Sequence, residues 1–431
     1  MKRKIFFLNL FLIPISGLIY AQTWLQLPAT GNPMQRSNAS AIYEQAGNRV
    51  IVFGGKTSSG NLNDVWSLNL NNYEWQNITP VSGQMPSPRF SQNAVYDSLM
   101  NRMIIWSGQG AELYNDVWAF NLSNNSWQEL WQDGNVPGAP LKRYGTAAVF
   151  DPVNRRLVNF AGFTTSGRFE DTWYFQIDSM MWTDRTNSFH PELRCLHSAH
   201  ITSHRTQMII YGGQHNGALG DIWSLNLNSF EWTNITPAVK PESRWFSPVI
   251  CTNSNEAFIY GGQNSQTILG DLWKFNLTNN SWDSITQGTI RPGARYGHIA
   301  VYVPVSNKMI IFGGSDPSYK NDTWIFNIGT VGISNISSSV PDGYTLYQNF
   351  PNPFNPVTRI KFDIPADISK INVKLIVYDI SGKEIEILVD EKLNAGSYEV
   401  QFNGANLSSG VYFYKITNGN YADTKKMFLL K

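Results

Sequence analysis

Six arginines recur at nearly constant spacing, and they are the residues of this sequence best suited to bind a charged ligand. The intervals between them lie between 50 and 54 residues. A guanidinium can hold a carboxylate through two parallel hydrogen bonds, so six of them around one opening could grip an acidic ligand. The alternative is structural, with each arginine capping loop carbonyls or pairing with a neighbouring carboxylate. The positions are Arg36, Arg89, Arg143, Arg194, Arg244 and Arg295.

Residues close to these arginines differ from repeat to repeat and are therefore candidates for ligand specificity. Loops on one side of a rigid scaffold commonly carry binding residues, and aromatic rings mixed with Asn, Gln and Arg suit a glycan or a peptide. Ordinary loop packing is the alternative for the same residues. The candidates directly after an arginine are Phe90, Tyr144, Trp245 and Tyr296, and those in other loops are Tyr114, Arg168 and His215.

Acidic residues in the same loops raise the question of catalysis. Such carboxylates could support acid–base chemistry on a carbohydrate, but their spacing singles out no pair. We therefore expect a binding protein without catalytic residues or a cofactor, and we keep an extracellular carbohydrate-active hydrolase, epimerase or lyase as the alternative. The carboxylates are Glu112, Glu170, Glu192 and Glu242.

The histidines and cysteines predict neither a metal site nor a disulfide. His197 and His200 would point to opposite faces of a strand, which prevents joint coordination of a metal. Cys195 stands one residue after its arginine, whereas Cys251 stands seven after its own. Six residues of strand span about 20 Å, and a disulfide needs Cα atoms within about 7 Å. We expect two free, partly buried thiols.

The arginines belong to a longer repeated unit, which must position all of these residues. Each unit runs from Arg through an apolar strand to a Gly-Gly-like pair, then to Asp-x-Trp and a final Trp. Runs such as "MIIYGG" are continuously apolar, as in strands that neighbouring sheets cover on both faces. The Asp-x-Trp elements begin at Asp64, Asp116, Asp171, Asp221, Asp271 and Asp322, and the final tryptophans are Trp75, Trp127, Trp182, Trp232 and Trp282.

Trp24 supplies the final tryptophan that the sixth unit lacks. The sequence "TWLQLP" at Trp24 parallels "EWQNITP" at Trp75. We therefore expect the N-terminal strand to complete the last unit, which removes free sheet edges and fixes the number of units at six.

The repeats resemble the kelch family. A period of about 50 residues with Gly-Gly and a final Trp is typical of kelch repeats, and "IVFGG…NDVWSLNL…YEW" and "IIFGG…NDTWIFNI" carry the resemblance. The resemblance implies an all-β chain whose residues 22–328 form a six-bladed kelch-type β-propeller with a central channel. It also implies that the loop face around the channel binds a partner.

The N-terminus and the charge restrict location and partners. Lys2-Arg3-Lys4 and the apolar run from Ile5 to Ile19 predict a signal peptide at residues 1–21, followed by cleavage. The run is shorter than the ~20 residues of a membrane span, so we expect no stable transmembrane segment. The formal net charge is +1, which lacks the basic surplus of nucleic-acid-binding proteins and excludes nucleic acid as the main partner.

The composition changes after Ile328, where the repeat signals stop. Residues 329–343 read as a Gly/Ser-rich linker, and short alternating strands at 344–431 predict a small Ig-like β-sandwich. The segments "YQNFPNPFNPVTRIKFDIP" and "LSSGVYFYKI…KKMFLLK" resemble the C-terminal sorting domain of type IX secretion cargo and the related FlgD-type Ig-like module. This resemblance implies periplasmic export, contact with the secretion machinery, and delivery to the outer cell surface or the medium.

Overall fold

The computed structural model describes residues 24–28, 31–328, 334–337, 341–366, 372–393, 395–404, 407–419 and 421–430. The predicted signal peptide lies outside these residues. The described chain consists of β-strands, turns and one 3-10 turn, Pro304–Ser306. It divides into two compact units, one within residues 23–332 and one within residues 333–431.

The first unit contains six four-stranded antiparallel sheets, the blades, one for each repeated unit. The first described strand, β1 (Trp24–Gln26), belongs to the sixth blade. The first three blades are β2 (Ser40–Glu44), β3 (Arg49–Thr57), β4 (Gly60–Asn69) and β5 (Glu74–Asn77); β6 (Asn93–Asp97), β7 (Arg102–Trp106), β8 (Val117–Asn121) and β9 (Ser126–Trp131); and β10 (Ala147–Asp151), β11 (Arg156–Thr164), β12 (Gly167–Gln176) and β13 (Met181–Asp184).

The remaining three blades repeat this order, and the last one takes its outer strand from the N-terminus. In that blade Trp24 pairs with Phe326 and Gln26 with Trp324. The predicted all-β class and six-bladed propeller are confirmed. The strands are β14 (Ser198–Ile201), β15 (Gln207–Gln214), β16 (Ala218–Asn226) and β17 (Trp232–Asn234); β18 (Val249–Cys251), β19 (Glu256–Tyr260), β20 (Leu272–Asn276) and β21 (Ser281–Ser284); and β22 (Ile299–Val303), β23 (Lys308–Phe312), the hairpin β24 (Ser315–Asp316) and β25 (Ser318–Tyr319), and β26 (Thr323–Asn327).

The final tryptophan of each blade packs against the preceding blade. Its partner is the aromatic residue before the Gly-Gly-like pair, and the ring centroids lie 4.8 to 5.4 Å apart. Aromatic pairs at such distances add about 0.5–1.5 kcal/mol each to the burial of apolar area. The pairs are Trp24–Tyr260, Trp75–Phe312, Trp127–Phe53, Trp182–Trp106, Trp232–Phe160 and Trp282–Tyr211.

The second unit consists of two four-stranded antiparallel sheets whose buried residues form one hydrophobic core. The predicted linker at 329–343 is too long, because Ser334–Ser337 forms a strand that pairs with Gly396–Asn403. The Ig-like assignment stays a prediction. One sheet contains β27 (Ser334–Ser337), β28 (Thr345–Leu346), β29 (Val357–Ile364) and β32 (Gly396–Asn403), and the other contains β30 (Asn372–Asp379), β31 (Glu384–Lys392), β33 (Gly410–Asn418) and β34 (Tyr421–Leu429).

Candidate functional site

The repeated arginines lie inside the blades, where the guanidinium of each is bound on several sides. Arg194 is typical: its Nη1 and Nη2 donate to the two carboxylate oxygens of Asp221 at 2.8 and 2.7 Å. Nη1 also donates to the carbonyl of Gly212 at 3.0 Å, and Nε donates to the carbonyl of Glu192 at 3.0 Å. Trp223 Nε1 donates to the same carboxylate at 2.7 Å. Arg, the Gly pair and Asp-x-Trp therefore form one hydrogen-bonded unit.

The same unit occurs in every blade, and each arginine is at most 1% exposed. This burial contradicts the expectation that six guanidiniums ring the channel mouth and hold a ligand. Their carboxylate partners satisfy them internally, as the structural alternative required. The ion pairs are Arg36–Asp64, Arg89–Asp116, Arg143–Asp171, Arg194–Asp221, Arg244–Asp271 and Arg295–Asp322.

The backbone of each arginine joins its blade to the preceding one. Arg194 N donates to the carbonyl of Phe169 at 3.1 Å, and its carbonyl accepts from Gly162 N at 2.9 Å. The pattern closes on itself, because Arg36 accepts from Gly314 of the last blade at 2.8 Å. At the first position of the pair, Gly212 has φ of +63°, and a Cβ there would lie 2.5 Å from the carbonyl oxygen of Arg244. Glycine adopts this φ freely and allows the close approach, whereas the second and third blades place Ser107 and Ala161 at the equivalent position with φ of +66° and +59°.

These contacts also shift the acidities of the paired carboxyl groups. Burial alone would raise the pKa of Asp221, but hydrogen bonds from Arg194 and Trp223 bring it below its ordinary value. The pKa of Asp271 and that of Asp322 are lowered in the same way by their own arginine and tryptophan. The carboxylates stay ionised at neutral pH and keep the arginines neutralised.

Three of the variable residues come together at the channel mouth. The rings of Phe90 and Tyr144 lie 6.2 Å apart, and Tyr144 lies 5.5 Å from Phe163. The Arg168 guanidinium stands 5.6 Å over Phe163 and donates to Gln214 Oε1 at 3.0 Å. Phe90, Tyr144, Phe163 and Arg168, here called the aromatic arc, are all partly exposed.

The other candidate residues are separate from the arc. Tyr114 and Trp245 are only 7% and 8% exposed and offer little surface to a ligand; the Arg89 guanidinium covers Tyr114 at 4.1 Å. Tyr296 packs 5.9 Å from Phe246, on the opposite side of the ring of blades from the arc. His215 Nδ1 lies 3.1 Å from Glu192 Oε2.

The comparisons with known proteins follow this architecture. Residues 17–183, 77–262 and 185–341 match the family described as the KLHDC2/KLHL20/DRC7 Kelch-repeats domain, and residues 348–430 match the secretion system C-terminal sorting domain. The chain belongs to the kelch-repeat family. Its kelch propeller is followed by a type IX sorting domain, as the resemblances in the sequence implied.

Curated relatives share the propeller at low identity. A leucine-zipper-like transcriptional regulator 1 homolog of Drosophila melanogaster is 26% identical over 201 residues, 44% of this chain and 20% of that protein. Kelch domain-containing protein 1 of Mus musculus is 28% identical over 196 residues, 38% of this chain and 46% of that protein. The chain thus spans less than half the length of each.

The four loop glutamates have different surroundings. Glu112 pairs with Lys142 Nζ at 2.9 Å, Glu192 with His215, and Glu242 accepts from Asn264 Nδ2. Glu170 follows Phe169, whose backbone pairs with that of Arg194, two residues after Glu192. Among the described residues, no three His, Cys, Asp or Glu side chains lie together in a way that could hold a metal ion. Cys195 and Cys251 are free, buried thiols. None of the helical residues described is part of a span long and apolar enough to cross a membrane.

Two buried histidines of the kelch propeller make its stability depend on pH. His197 and His298 stand three residues after their arginines and are 6% and 4% exposed. Burial, helped by the nearby arginine, lowers the pKa of each to about 3 from 6.5. The unfolded chain therefore binds more protons between those two pH values, so stability is lost as the pH falls through this window.

We expect each histidine to cost roughly 2–3 kcal/mol of unfolding free energy between pH 7.5 and 4.5. Denaturant unfolding at the two pH values measures the drop. The variant His298→Phe keeps an aromatic ring against Tyr260 and should show a smaller drop than the wild type. His204→Phe, at an exposed turn position, is the matched control and should leave the drop unchanged. An equal drop in all three proteins would contradict the assignment.

Proposed function

We propose that this chain is an exported protein-binding propeller whose partner docks on the loop face. The loop face is formed by the six loops that run from the outer strand of one blade to the inner strand of the next. Loops on one side of a rigid scaffold are free to vary and commonly carry binding residues. The sorting domain directs the protein to the cell surface or the medium, where a partner would be met.

The observation that carries this proposal is a ring of exposed apolar side chains, with at least one in each of the six loops. Every one is at least 40% exposed. Apolar surface gathered on one face of a rigid scaffold is common in protein interfaces and supports this face as the docking site. The residues are Met34, Val81, Val136, Leu141, Phe189, Val239 and Ile290.

The opposite face of the propeller differs in this respect. Among the described residues, its exposed large apolar side chains belong to the second and third blades, at Leu99, Met100, Val153, Met180 and Met181. An even distribution would have pointed to ordinary surface composition. The full circle on the loop face therefore favours that face as the interface.

The aromatic arc lies on the second and third blades and supplies the side-chain types of a binding hot spot. Interface cores are enriched in Phe, Tyr and Arg, and hot spots cluster near the centre inside a rim of weaker contacts. Phe90, Tyr144, Phe163 and Arg168 have this composition. Lys56 Nζ extends the arc, 5.2 Å from the Phe90 ring.

The test compares two double variants with closely similar exposure. Val239→Asp with Ile290→Asp alters the loop face at residues 73% and 70% exposed, and Leu99→Asp with Val153→Asp alters the opposite face at residues 72% and 75% exposed. Each full-length protein is immobilised and exposed to concentrated culture medium, and the retained proteins are quantified by mass spectrometry.

We expect the wild type and the opposite-face variant to retain the same protein from the medium. The amount of that protein retained by the loop-face variant should be at least tenfold lower. Retention that is equal in both variants, or absent from the wild type, would refute the docking face. Both double variants change surface residues only, so thermal melting should show both proteins folded.

A glycan ligand is the second candidate, and the arc is the observation that favours it. Partly exposed rings in a row with an adjacent Arg and Gln provide apolar stacking surface and hydrogen-bonding groups together. Binding of the full-length chain on a glycan array, lost in Tyr144→Ala and kept in the loop-face double variant, would support the glycan over the protein. No arrangement of the loop glutamates favours the enzyme.

A further inference from the structure

The two sheets of the sorting domain differ in the side chains on their outer faces. Alternate residues of each strand enter the common core, and the residues between them face outward. From Arg359 to Asp363 of β29, and at the paired positions of β32, every outward residue is polar. Such a face is typical of an antiparallel sheet that is open to water on one side. These residues are Arg359, Lys361, Asp363, Ser397, Glu399 and Gln401.

The outer face of the other sheet is instead rich in apolar and aromatic residues. Tyr378 of β30 pairs with Phe413 of β33, and Phe413 pairs with Lys426 of β34. Val411 and Phe428 form the row beside these three residues. We call this surface the lysine–aromatic face, and it consists of Ile376, Tyr378, Val411, Phe413, Lys415, Thr424, Lys426 and Phe428.

Solvent reaches the lysine–aromatic face. Phe428 is 37% exposed, Lys415 and Lys426 are exposed, and the other two rings of the face are partly exposed. Lys426 Nζ lies 5.0 Å from the centroid of the Phe428 ring, so the cation and the ring belong to one surface. Just beyond β30, Ile380 adds an apolar side chain that is 78% exposed. Rings and aliphatic side chains grouped on the open face of a sheet support a docking site for another molecule.

The two exposed lysines of this face stand among neutral residues. Lys415 pairs with Ile376 on one side and Thr424 on the other, and Lys426 pairs with Phe413. No carboxylate therefore stands directly opposite either lysine in the sheet register. An ammonium group without an opposite charge across the strand attracts an anionic group from outside the sheet.

The polar outer face of the first sheet differs in this respect. There Lys361 pairs with Glu399 in the register, and Arg359 Nη1 lies 3.5 Å from a carboxylate oxygen of the same Glu399. On the sheet of the lysine–aromatic face, Glu384 of β31 pairs with Tyr378, on the side away from β34. Strands β33 and β34 therefore carry the positive charge of this face, and charge complementarity favours an acidic partner.

The mixture of lysines and rings sets two requirements for that partner. A purely apolar partner would remove water from the ammonium groups and give nothing in its place. A partner that offered negative charge alone would leave the rings without apolar contacts. Protein interfaces meet both requirements, because aromatic residues at their centre are combined with complementary charges. A protein surface with carboxylates around an apolar centre fits the lysine–aromatic face best.

We infer that the lysine–aromatic face is the surface through which the sorting domain contacts the secretion machinery. Its partner there is an acidic protein surface with an apolar centre. The inference rests on the sorting role of residues 348–430, which match the secretion system C-terminal sorting domain. It does not depend on what the propeller binds.

The test compares two double charge reversals in the full-length chain. Lys415→Glu with Lys426→Glu reverses the charges of the lysine–aromatic face, and Arg359→Glu with Lys361→Glu is the matched control on the other sheet. Immunoblots of the medium and the envelope, from cells that secrete the wild type, measure the secreted fraction. We expect this fraction to fall at least tenfold in the first double variant and less than twofold in the control.

Two further double variants test the sign of the charge. Lys415→Arg with Lys426→Arg keeps both cations and should be secreted like the wild type, whereas Lys415→Gln with Lys426→Gln should give an intermediate loss. All of these substitutions change surface residues, so thermal melting of the purified proteins should show them folded. If the double glutamate variant does not fold, the glutamine variant still decides, because it adds no charge.

An anionic membrane is the other partner that lysines and rings could contact. Sedimentation of the full-length protein with vesicles of phosphatidylglycerol and phosphatidylcholine tests it, and we expect no binding that depends on Lys415 and Lys426. Vesicle binding by the wild type that is lost in Lys415→Glu with Lys426→Glu would overturn the acidic protein partner.

Two secretion results would also overturn the inference. These are wild-type secretion of the folded glutamate variant, and an equal loss in that variant and in the folded control. Deletion of residues 333–431 separates this failure from failure of the sorting role. A deleted chain that stays in the cell, beside a glutamate variant that is secreted normally, refutes the face alone. A deleted chain that is secreted normally refutes the sorting role.

Discussion

Replacing Arg89 by methionine should lower the unfolding free energy by about 3–5 kcal/mol. Arg89 is fully buried, and its partner Asp116 is 4% exposed. The substitution keeps the apolar stem but leaves the Asp116 carboxylate buried without its cation, and it removes the donors to the carbonyls of Ser87 and Ser107. Breaking a buried ion pair from one side costs far more than the pair itself contributes, because an uncompensated charge remains.

Denaturant unfolding of the full-length chain measures this loss, with Arg291→Met as the control. Arg291 is exposed in the loop just before the last blade, so its replacement should change stability by less than about 0.5 kcal/mol. Arg89→Lys should show most of the loss in unfolding free energy that Arg89→Met shows, since an ammonium cannot supply the two parallel hydrogen bonds to Asp116. A loss below about 1 kcal/mol in Arg89→Met would contradict the structural role.

The sequence predicted the architecture well because the same pattern of residues occurs six times. The continuous apolar strands, the Gly pairs and the final tryptophans each recur at one register. Counting those tryptophans indicated that Trp24 belongs to the last blade, and in the structure its ring packs 5.1 Å from Tyr260 like its five equivalents. Each blade packs against its neighbour through the same positions of the repeat, so comparing the repeats reveals which residues pack together.

The arginines show where the sequence left two interpretations open, ligand binding and pairing within the blade. Their spacing along the chain was correct, but spacing does not say whether a long side chain points into the channel or back into its own blade. A signal was present, because the invariant aspartate of Asp-x-Trp occurs once for every arginine. Equal numbers of cation and anion at fixed register indicate pairing within each blade, as Arg194 and Asp221 have.

A cavity of about 200 Å³ at the centre of the propeller could not be predicted in the same way. Its lining residues, such as Gln92, His197 and Ser247, occupy one register position but differ in chemistry from blade to blade. They carry no motif, and only the closure of the ring of blades brings them to one place. That information exists only in three dimensions. The exposed apolar loop residues were missed for a related reason. An apolar residue is informative about an interface only where its side chain is exposed, and the sequence does not show which side chains are exposed.

We expect the largest change in the location of the protein from deleting the sorting domain. Removal of residues 333–431 should leave the chain in the cell envelope and abolish its appearance in the medium. The cut belongs at 333 because Ser334–Ser337 pairs with Gly396–Asn403, and a cut at 344 would leave that strand without its sheet. Immunoblots of the medium, envelope and cytoplasmic fractions measure the change.

The propeller should survive this deletion, which makes the result interpretable. Every strand of its six sheets pairs within residues 24–327, and Trp24–Gln26 closes the last blade from the N-terminal side. The truncated chain should therefore melt cooperatively, and its retention would report lost sorting and not misfolding. Fusing residues 333–431 to an unrelated periplasmic protein is the reciprocal control and should bring that protein into the medium. A folded, truncated propeller that is still secreted at wild-type levels would show that the propeller itself carries the export signal.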